Sequence, residues 1–335
     1  MKICILGAGT WGTALAALLA KNGHEVYLWS AIKSEIDELA RTGKHRNLPG
    51  AILPVGINYT DCIECGLSGA EMVIFVTPSE YIRATARRAA PYLGRDAIIV
   101  NASKGIESGT LLTMTEVISD ELRNAGVAFG KIAALSGPTH AEEVAIGLPT
   151  SIVAACEDGG VSLLIAEAFK NSCMRVYTNS DVRGVELCGA LKNIIAIAAG
   201  ICRGIEFGDN AKAMLMTRGM TEITRLGLAM GCDKATFYGL AGIGDLIVTC
   251  TSEHSRNNRC GVLIGQGKSY EEALSEIGMV VEGYHALEAA MELRAKYSVE
   301  MPITEAVYAV IKNGRSPYSV IRELMTRGIK NESVI

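Results

Sequence analysis

The stretch Lys2-Ile-Cys-Ile-Leu6-Gly7-Ala-Gly9-Thr-Trp-Gly12 decides the fold. Residues 2–6 are a short apolar run with the composition of a buried strand. Gly7, Gly9 and Gly12 follow with the spacing G-x-G-x-x-G, residues 13–22 read as a helix ended by Gly23, and Glu25-Val-Tyr-Leu-Trp29 reads as the next strand. That order of strand, turn, helix and strand is the context in which such glycines mean dinucleotide binding. Gly7 permits the tight turn, Gly9 lets the backbone approach a pyrophosphate, and Gly12 lets helix and strand pack closely. The helix N-terminus presents free N–H groups and a partial positive charge to the phosphates.

The same run, preceded by Lys2 and uncharged from Ile3 to Ala20, also has the outline of a signal peptide or of a membrane span. Losing it would delete the first strand and helix of an α/β pattern that continues regularly. Met72-Val-Ile-Phe-Val-Thr77, Ala97-Ile-Ile-Val-Asn101 and Lys131-Ile-Ala-Ala-Leu135 are further apolar strands, and residues 150–155 and 175–177 complete the β signals. Continuous apolar strands between helices imply a parallel sheet covered on both faces. After about Ser180 the strand signals stop, and residues 182–206, 211–230, 257–266, 270–275, 282–297, 303–313 and 317–327 read as helices. The expectation is an α/β protein, with an N-terminal dinucleotide-binding domain over 1–182 and an all-α domain over 183–335.

Composition narrows the function. Thirty-two Lys and Arg stand against 36 Asp and Glu, a formal net charge of -4 with pI 5.8, so there is no basic footprint for nucleic acid. Aromatics at 5 % argue against an aromatic binding sheet, and 49 % hydrophobic residues argue against disorder. The ten cysteines are too dispersed for a disulfide scaffold, and most lie in apolar runs as small hydrophobes. Cys62-Ile-Glu-Cys65 lacks a second ligand pair for zinc and a thioredoxin-like context, so it reads as structural. A reducing cytosol follows.

The ends of the strands carry polar groups, where open parallel sheets bind ligands. Trp29-Ser30-Ala31-Ile32-Lys33 has no acid to hold the ribose 2′-hydroxyl of NAD; Ser30 or Lys33 is a candidate contact for a 2′-phosphate, Lys33 reads equally as a solvated helix residue, and NADP is favoured only slightly. Thr77-Pro-Ser79 and Ser103-Lys104-Gly105 end two strands, and Ser136-Gly137-Pro-Thr139-His140 a third. Lys104 is either a holder of an anionic substrate or carbonyl, or an ordinary surface lysine. His140 opens a helix, a position favouring a helix-start role over acid–base work.

From Leu187 to Cys202 the only charge is Lys192, in a helix apolar nearly all round. Such a helix belongs in a core. Burial disfavours the ammonium form and suits a lysine to exchange a proton near neutral pH. Asp245, in Gly242-Ile-Gly244-Asp245, is either a partner for Lys192 or a helix cap. Thr251-Ser-Glu-His-Ser255-Arg256-Asn257-Asn258-Arg259 is a donor cluster before a helix, suited to a phosphate and also to a solvated cap; His254 reads as surface loop.

Gly7-Ala-Gly-Thr-Trp-Gly12, Ser103-Lys-Gly105, Ser136-Gly-Pro-Thr139, Leu191-Lys-Asn193, Gly242-Ile-Gly-Asp245 and Ser255-Arg-Asn257, in this order and spacing, resemble the NAD(P)-dependent glycerol-3-phosphate dehydrogenase family over essentially the whole chain. The resemblance implies a Rossmann domain followed by an all-helical domain, with NADP or NAD as cofactor and no metal. It implies dihydroxyacetone phosphate and sn-glycerol 3-phosphate as substrates, no nucleic-acid partner and no transmembrane segment. It also implies a cytoplasmic homodimer that supplies glycerophospholipid synthesis. By the same resemblance Lys192 is the acid–base group, Lys104 lies near the same oxygen, and Asp245 orients the lysine. Asn193 and Thr249 help fix the substrate, Gly137 and Thr139 form its wall, and Ser255, Arg256 and Asn257 grip its phosphate. Gly7, Gly9, Thr10, Trp11 and Gly12 form the cofactor turn, with Lys104, Ala141, Arg256, Val280 and Glu282 as further cofactor contacts. Ala31 stands where bacterial members commonly carry Arg or His, which is consistent with dual NAD/NADP use. A β-hydroxyacid dehydrogenase would share the plan without needing the phosphate grip, and a non-catalytic dinucleotide-binding scaffold would need no buried lysine.

Overall fold

Strand and helix alternate from Lys2 to Asn179 because short apolar runs alternate with amphipathic ones. In the computed structural model residues 1–329 and 331–332 are described; residues 330 and 333–335 of the expected C-terminal domain lie outside them. The first compact unit comprises Met1–Lys104 and Leu112–Val182. Its elements are β1 (Lys2–Leu6), α1 (Thr10–Lys21), β2 (Glu25–Trp29), α2 (Lys33–Thr42), β3 (Ile57–Thr60), α3 (Ile63–Leu67), β4 (Met72–Phe75), α4 (Ile82–Ala89), β5 (Ile98–Asn101), α5 (Met114–Asn124), β6 (Ile132–Ser136), α6 (Ala141–Ile146), β7 (Thr150–Ala155), α7 (Gly159–Phe169) and β8 (Met174–Asn179).

The sheet order is β3-β2-β1-β4-β5-β6-β7-β8. The chain lays β2 and β3 on one side of β1 and β4 to β6 on the other, so the topological switch falls between β1 and β4, where such sheets bind ligands. Alternate residues of β1 serve opposite faces: Ile3 and Ile5 pack with α1, α6 and α7, and Cys4 and Leu6 with α4 and α5. The expected parallel arrangement holds from β3 through β6, but β7 pairs with β6 antiparallel. Apolar runs report burial, not direction. Direction is set by the connection, and 137–149 contains only the six-residue α6, which brings the chain back at the same end of the sheet. The four-residue edge strand β3 escaped the sequence reading because Ile57-Asn-Tyr-Thr60 has little apolar signal.

The second unit comprises Gly105–Leu111 and the chain from Arg183 onward. Its helices are α8 (Val182–Gly204), α9 (Asp209–Ala229), α10 (Lys234–Phe237), α11 (Asp245–Thr251), α12 (Arg256–Gly265), α13 (Tyr270–Ile277), α14 (Glu282–Lys296), α15 (Pro302–Ile311) and α16 (Pro317–Met325), with a π-helical turn Leu240–Gly244 leading into α11. The sequence reading missed α10 and α11, both short. Among the described residues α8 is the one helix long and apolar enough to cross a membrane, and 94% of its most apolar window is buried inside the protein. It is the core helix, buried without interruption from Gly184 to Ile201.

Glycine brings α8 and α12 together. A Cβ on Gly200 would collide with the Asn258 carbonyl, one on Gly261 with the Ile197 carbonyl, and one on Gly265 with the Ile201 carbonyl. Gly200, Gly204, Gly261 and Gly265 therefore serve backbone contact between these two helices.

Eight cysteines are free and six of these are buried, as small hydrophobes would be. Cys62 and Cys65 differ: they are joined by a disulfide at the start of α3, where one helical turn brings their Cα atoms to 5.4 Å.

Candidate active site

In the first unit each fingerprint glycine has its own physical reason. Gly7 adopts φ +131°, and a Cβ there would press on the Val76–Thr77 backbone at 2.9–3.0 Å. A Cβ on Gly12 would collide with the Gly7 carbonyl and the Val76 side chain. Gly9 is different, because nothing in the protein lies within 4 Å of its Cβ position. Space is thus left at Gly9, the N-cap of α1, where no side chain caps the helix, and Thr10 and Trp11 form the first turn. A cradle with uncapped amides and no competing side chain fits a pyrophosphate.

The strand ends next to it are tied to one another. Ser103 Oγ donates to the Thr77 carbonyl at 2.5 Å, joining the ends of β4 and β5. Lys104 Nζ donates to the Gly137 carbonyl at 3.3 Å, and Thr139 N–H donates to the same oxygen at 2.9 Å, joining β5 to the turn after β6. Gly137 packs its α-carbon against Ile152 and Ser151, where a Cβ would lie 3.1–3.2 Å away. Two buried hydroxyls at these ends, Thr77 Oγ1 and Ser136 Oγ, have no hydrogen-bond partner in the protein. His140 stands at the helix-start position, but its side chain makes no capping bond; Ala141 is the first residue of α6. Ala31 is exposed after the end of β2.

In the second unit the apolar core closes around one ion pair. Lys192 Nζ donates to Asp245 Oδ1 and to Thr249 Oγ1, each at 2.5 Å, with the lysine and aspartate side chains 7% and 1% exposed. The pairing reading of Asp245 therefore holds over a helix cap. Thr249 also donates to the Asp245 main-chain carbonyl at 2.6 Å, which uses its proton and turns a lone pair to the lysine. Burial alone penalises an ammonium, and the carboxylate beside it restores that form. The adjacent Cys250 thiol is pushed up to about 12 by burial, so it stays neutral.

Asn193 lies next along α8. Its Nδ2 donates to the Gly189 carbonyl at 3.2 Å, and its Oδ1 accepts from Asn257 Nδ2 at 2.9 Å. Asn257 Oδ1 in turn accepts the Gly283 N–H at 2.9 Å. These amides lock α8, α12 and the first turn of α14, which Glu282 opens and Val280 precedes. Ser255 caps α12 by accepting the Asn258 N–H at 3.2 Å. Ser255 and Asn257 are buried, while Arg256 extends into solvent. Asn258, a member of the donor cluster to which the sequence assigns no role of its own, is 1% exposed and donates to the Cys250 carbonyl at 2.9 Å. Its place in the polar first turn Arg256-Asn-Asn-Arg259 of α12 was the available signal. Among the described residues no group of three or more His, Cys, Asp or Glu side chains gathers as a metal site.

Two family matches span these two halves: the NAD-dependent glycerol-3-phosphate dehydrogenase N-terminus over residues 2–161 and its C-terminus over 181–322. The chain belongs to the NAD-dependent glycerol-3-phosphate dehydrogenase family. It is 54% identical over 333 residues to glycerol-3-phosphate dehydrogenase [NAD(P)+] 2 of Lactobacillus delbrueckii subsp. bulgaricus, covering 99% of this chain and 98% of that one. It is 48% identical to the corresponding enzyme of Enterococcus faecalis, covering 99% and 97%. The crystal structure of glycerol-3-phosphate dehydrogenase from Coxiella burnetii superposes with a TM-score of 0.92 at 38% identity, over 97% of this chain and 98% of that one. The two matches divide the chain as the fold does, with the glycine turn in the sheet-based part and the buried lysine on a helix of the other.

Proposed function

We propose that this protein catalyses the reversible NAD(P)-dependent interconversion of dihydroxyacetone phosphate and sn-glycerol 3-phosphate. The observation that carries the reading is the buried Lys192–Asp245–Thr249 cluster in a chain of this family. The bound nicotinamide supplies or accepts the hydride at the substrate's C2 carbon. Gly7, Gly9 and Gly12 with the first turn of α1 hold its pyrophosphate, and Ala141, Arg256, Val280 and Glu282 complete its contacts.

Lys192 gives its proton to the C2 oxygen during reduction and takes it back during oxidation. Asp245 and Thr249 hold the ammonium in one place, so the donor is fixed before substrate arrives. Lys104 adds a second positive charge towards that oxygen, where negative charge develops. Asn193 and the Gly137–Thr139 turn bound the substrate. Arg256, with the Ser255 hydroxyl and the α12 N-terminus, holds the phosphate; Asn257 acts through Asn193. This phosphate-holding helix start favours the reading over a β-hydroxyacid dehydrogenase. Family resemblance further supports a cytoplasmic homodimer that supplies glycerophospholipid synthesis.

The test is loss of NADH or NADPH absorbance on adding dihydroxyacetone phosphate. Turnover with either cofactor is expected, and none with both would overturn the reading.

A further inference from the structure

The end of β2 does carry an acid, brought there by the fold. Ser30, 5% exposed, follows the last residue of that strand. Its hydroxyl accepts the Ile32 N–H at 3.1 Å and donates to Glu35 Oε2 at 2.8 Å. One residue earlier, the Trp29 carbonyl accepts the N–H of Gly7, the first fingerprint glycine, at 2.9 Å. A carboxylate from the first turn of α2 is therefore fixed on a buried hydroxyl at the point where the strand end meets the dinucleotide turn. Ser30 holds Oε2, which leaves Oε1 to accept a second donor.

The cations nearby do not offset it. Lys33 Nζ lies 3.7 Å from Asp37 Oδ1 and 3.6 Å from Asp61 Oδ2, shared between two carboxylates. His45 sits against the Ala8 backbone of the fingerprint; burial, then Arg46, hold it below the usual histidine range, against the pull of Glu35 and Glu38. Ala31 has no charge to offer. Arg46, exposed, is the cation that remains to compete.

We propose that Glu35 reads the adenosine ribose of the cofactor, accepting a hydrogen bond from the 2′-hydroxyl of NADH and repelling the 2′-phosphate of NADPH. This chain thereby favours NADH. The proposal rests on the reading of the protein as a nicotinamide dinucleotide enzyme and deepens it. In other dinucleotide folds the acid that does this lies at the end of the second strand itself. Here it comes from the following helix and is held in place by Ser30.

The experiment is equilibrium binding of NADH and of NADPH, read by quenching of tryptophan fluorescence, to the native protein and to Glu35→Gln, Glu38→Gln and Arg46→Ala. Native protein is expected to bind NADH about tenfold tighter than NADPH, roughly what one charge-assisted hydrogen bond is worth. Glu35→Gln should remove most of that ratio by weakening NADH and tightening NADPH. Glu38→Gln, with the same charge change on the same helix, should leave it intact. Equal or tighter NADPH binding by the native protein overturns the proposal, as does an unchanged ratio in Glu35→Gln, or an equal loss of the ratio in Glu38→Gln. NADPH preference abolished by Arg46→Ala would assign the reading to Arg46 instead and also overturns it. Failure of every variant and of the native protein to bind either dinucleotide would overturn the underlying enzyme reading as well. Thermal melting of each variant separates a lost ribose contact from a lost fold.

Discussion

The Lys192 ammonium and the Asp245 carboxylate lie 2.5 Å apart, both buried, although they stand 53 positions apart in the chain. Each charge is tolerable in the core only because the other is there. Asp245→Asn is expected to cost about 3–5 kcal/mol of stability, because it leaves the ammonium buried without its counter-charge. Urea denaturation measures this, and a loss under about 1 kcal/mol would mean that water reaches the pair.

On the proposed mechanism Lys192→Ala removes the proton donor and leaves the Gly7–Gly12 turn as it is. The kcat should fall by roughly 10²–10⁴, the usual worth of a positioned acid–base group. The Kd for the dinucleotide should stay nearly constant. Unchanged kcat in steady-state assays would remove Lys192 from the chemistry.

Arg256→Ala should raise the KM for dihydroxyacetone phosphate by roughly tenfold or more, the worth of a charge-assisted hydrogen bond. Inhibition by inorganic phosphate should weaken in parallel. An unaltered KM with unaltered phosphate inhibition would mean that Arg256 does not hold that group.

Gly261→Ala places a methyl group on the Ile197 carbonyl, which is backbone and has no room to yield. Destabilisation at or above the upper end of the roughly 1–3 kcal/mol caused by overpacking is expected. Activity should fall with it, because α8 and α12 carry Asn193 and Asn257. Calorimetric melting and kcat, measured on the same preparation, check both effects.

Glu222, on α9, accepts the N–H groups of Ile303 at 2.6 Å and Thr304 at 3.1 Å, and so caps α15. Burial pushes its carboxyl up from 4.5 to about 7, against the pull of those hydrogen bonds. The folded protein therefore holds this proton more tightly than the unfolded chain. Its contribution to stability is fully present below 4.5 and is lost as the pH rises through about 7. The Tm difference between native protein and Glu222→Gln should accordingly move in favour of the native protein as pH falls from about 8 to about 5. A difference constant across that range would contradict the assignment.

Much of the first unit was legible along the chain. The glycine spacing with its flanking strands marked the tight turn between β1 and α1, and a lone lysine in an apolar helix singled out Lys192. Less was legible where the decisive neighbour was distant. The sequence left Asp245 between two readings, and it gave no sign that the Thr249 hydroxyl meets Lys192 or that the Asn257 amide ties Asn193 to Gly283.

By itself, then, the sequence determined the alternation of strands and helices, the glycine turn after β1 and the presence of a buried cation, because propensity, periodicity and turn chemistry act over a few residues. Only the tertiary structure decided the reversal of β7 against β6, the glycine contact of α8 with α12 and the pairing of Lys192 with Asp245. Each of these depends on where a folded backbone brings groups that the chain keeps apart, and on which buried charge finds a partner there.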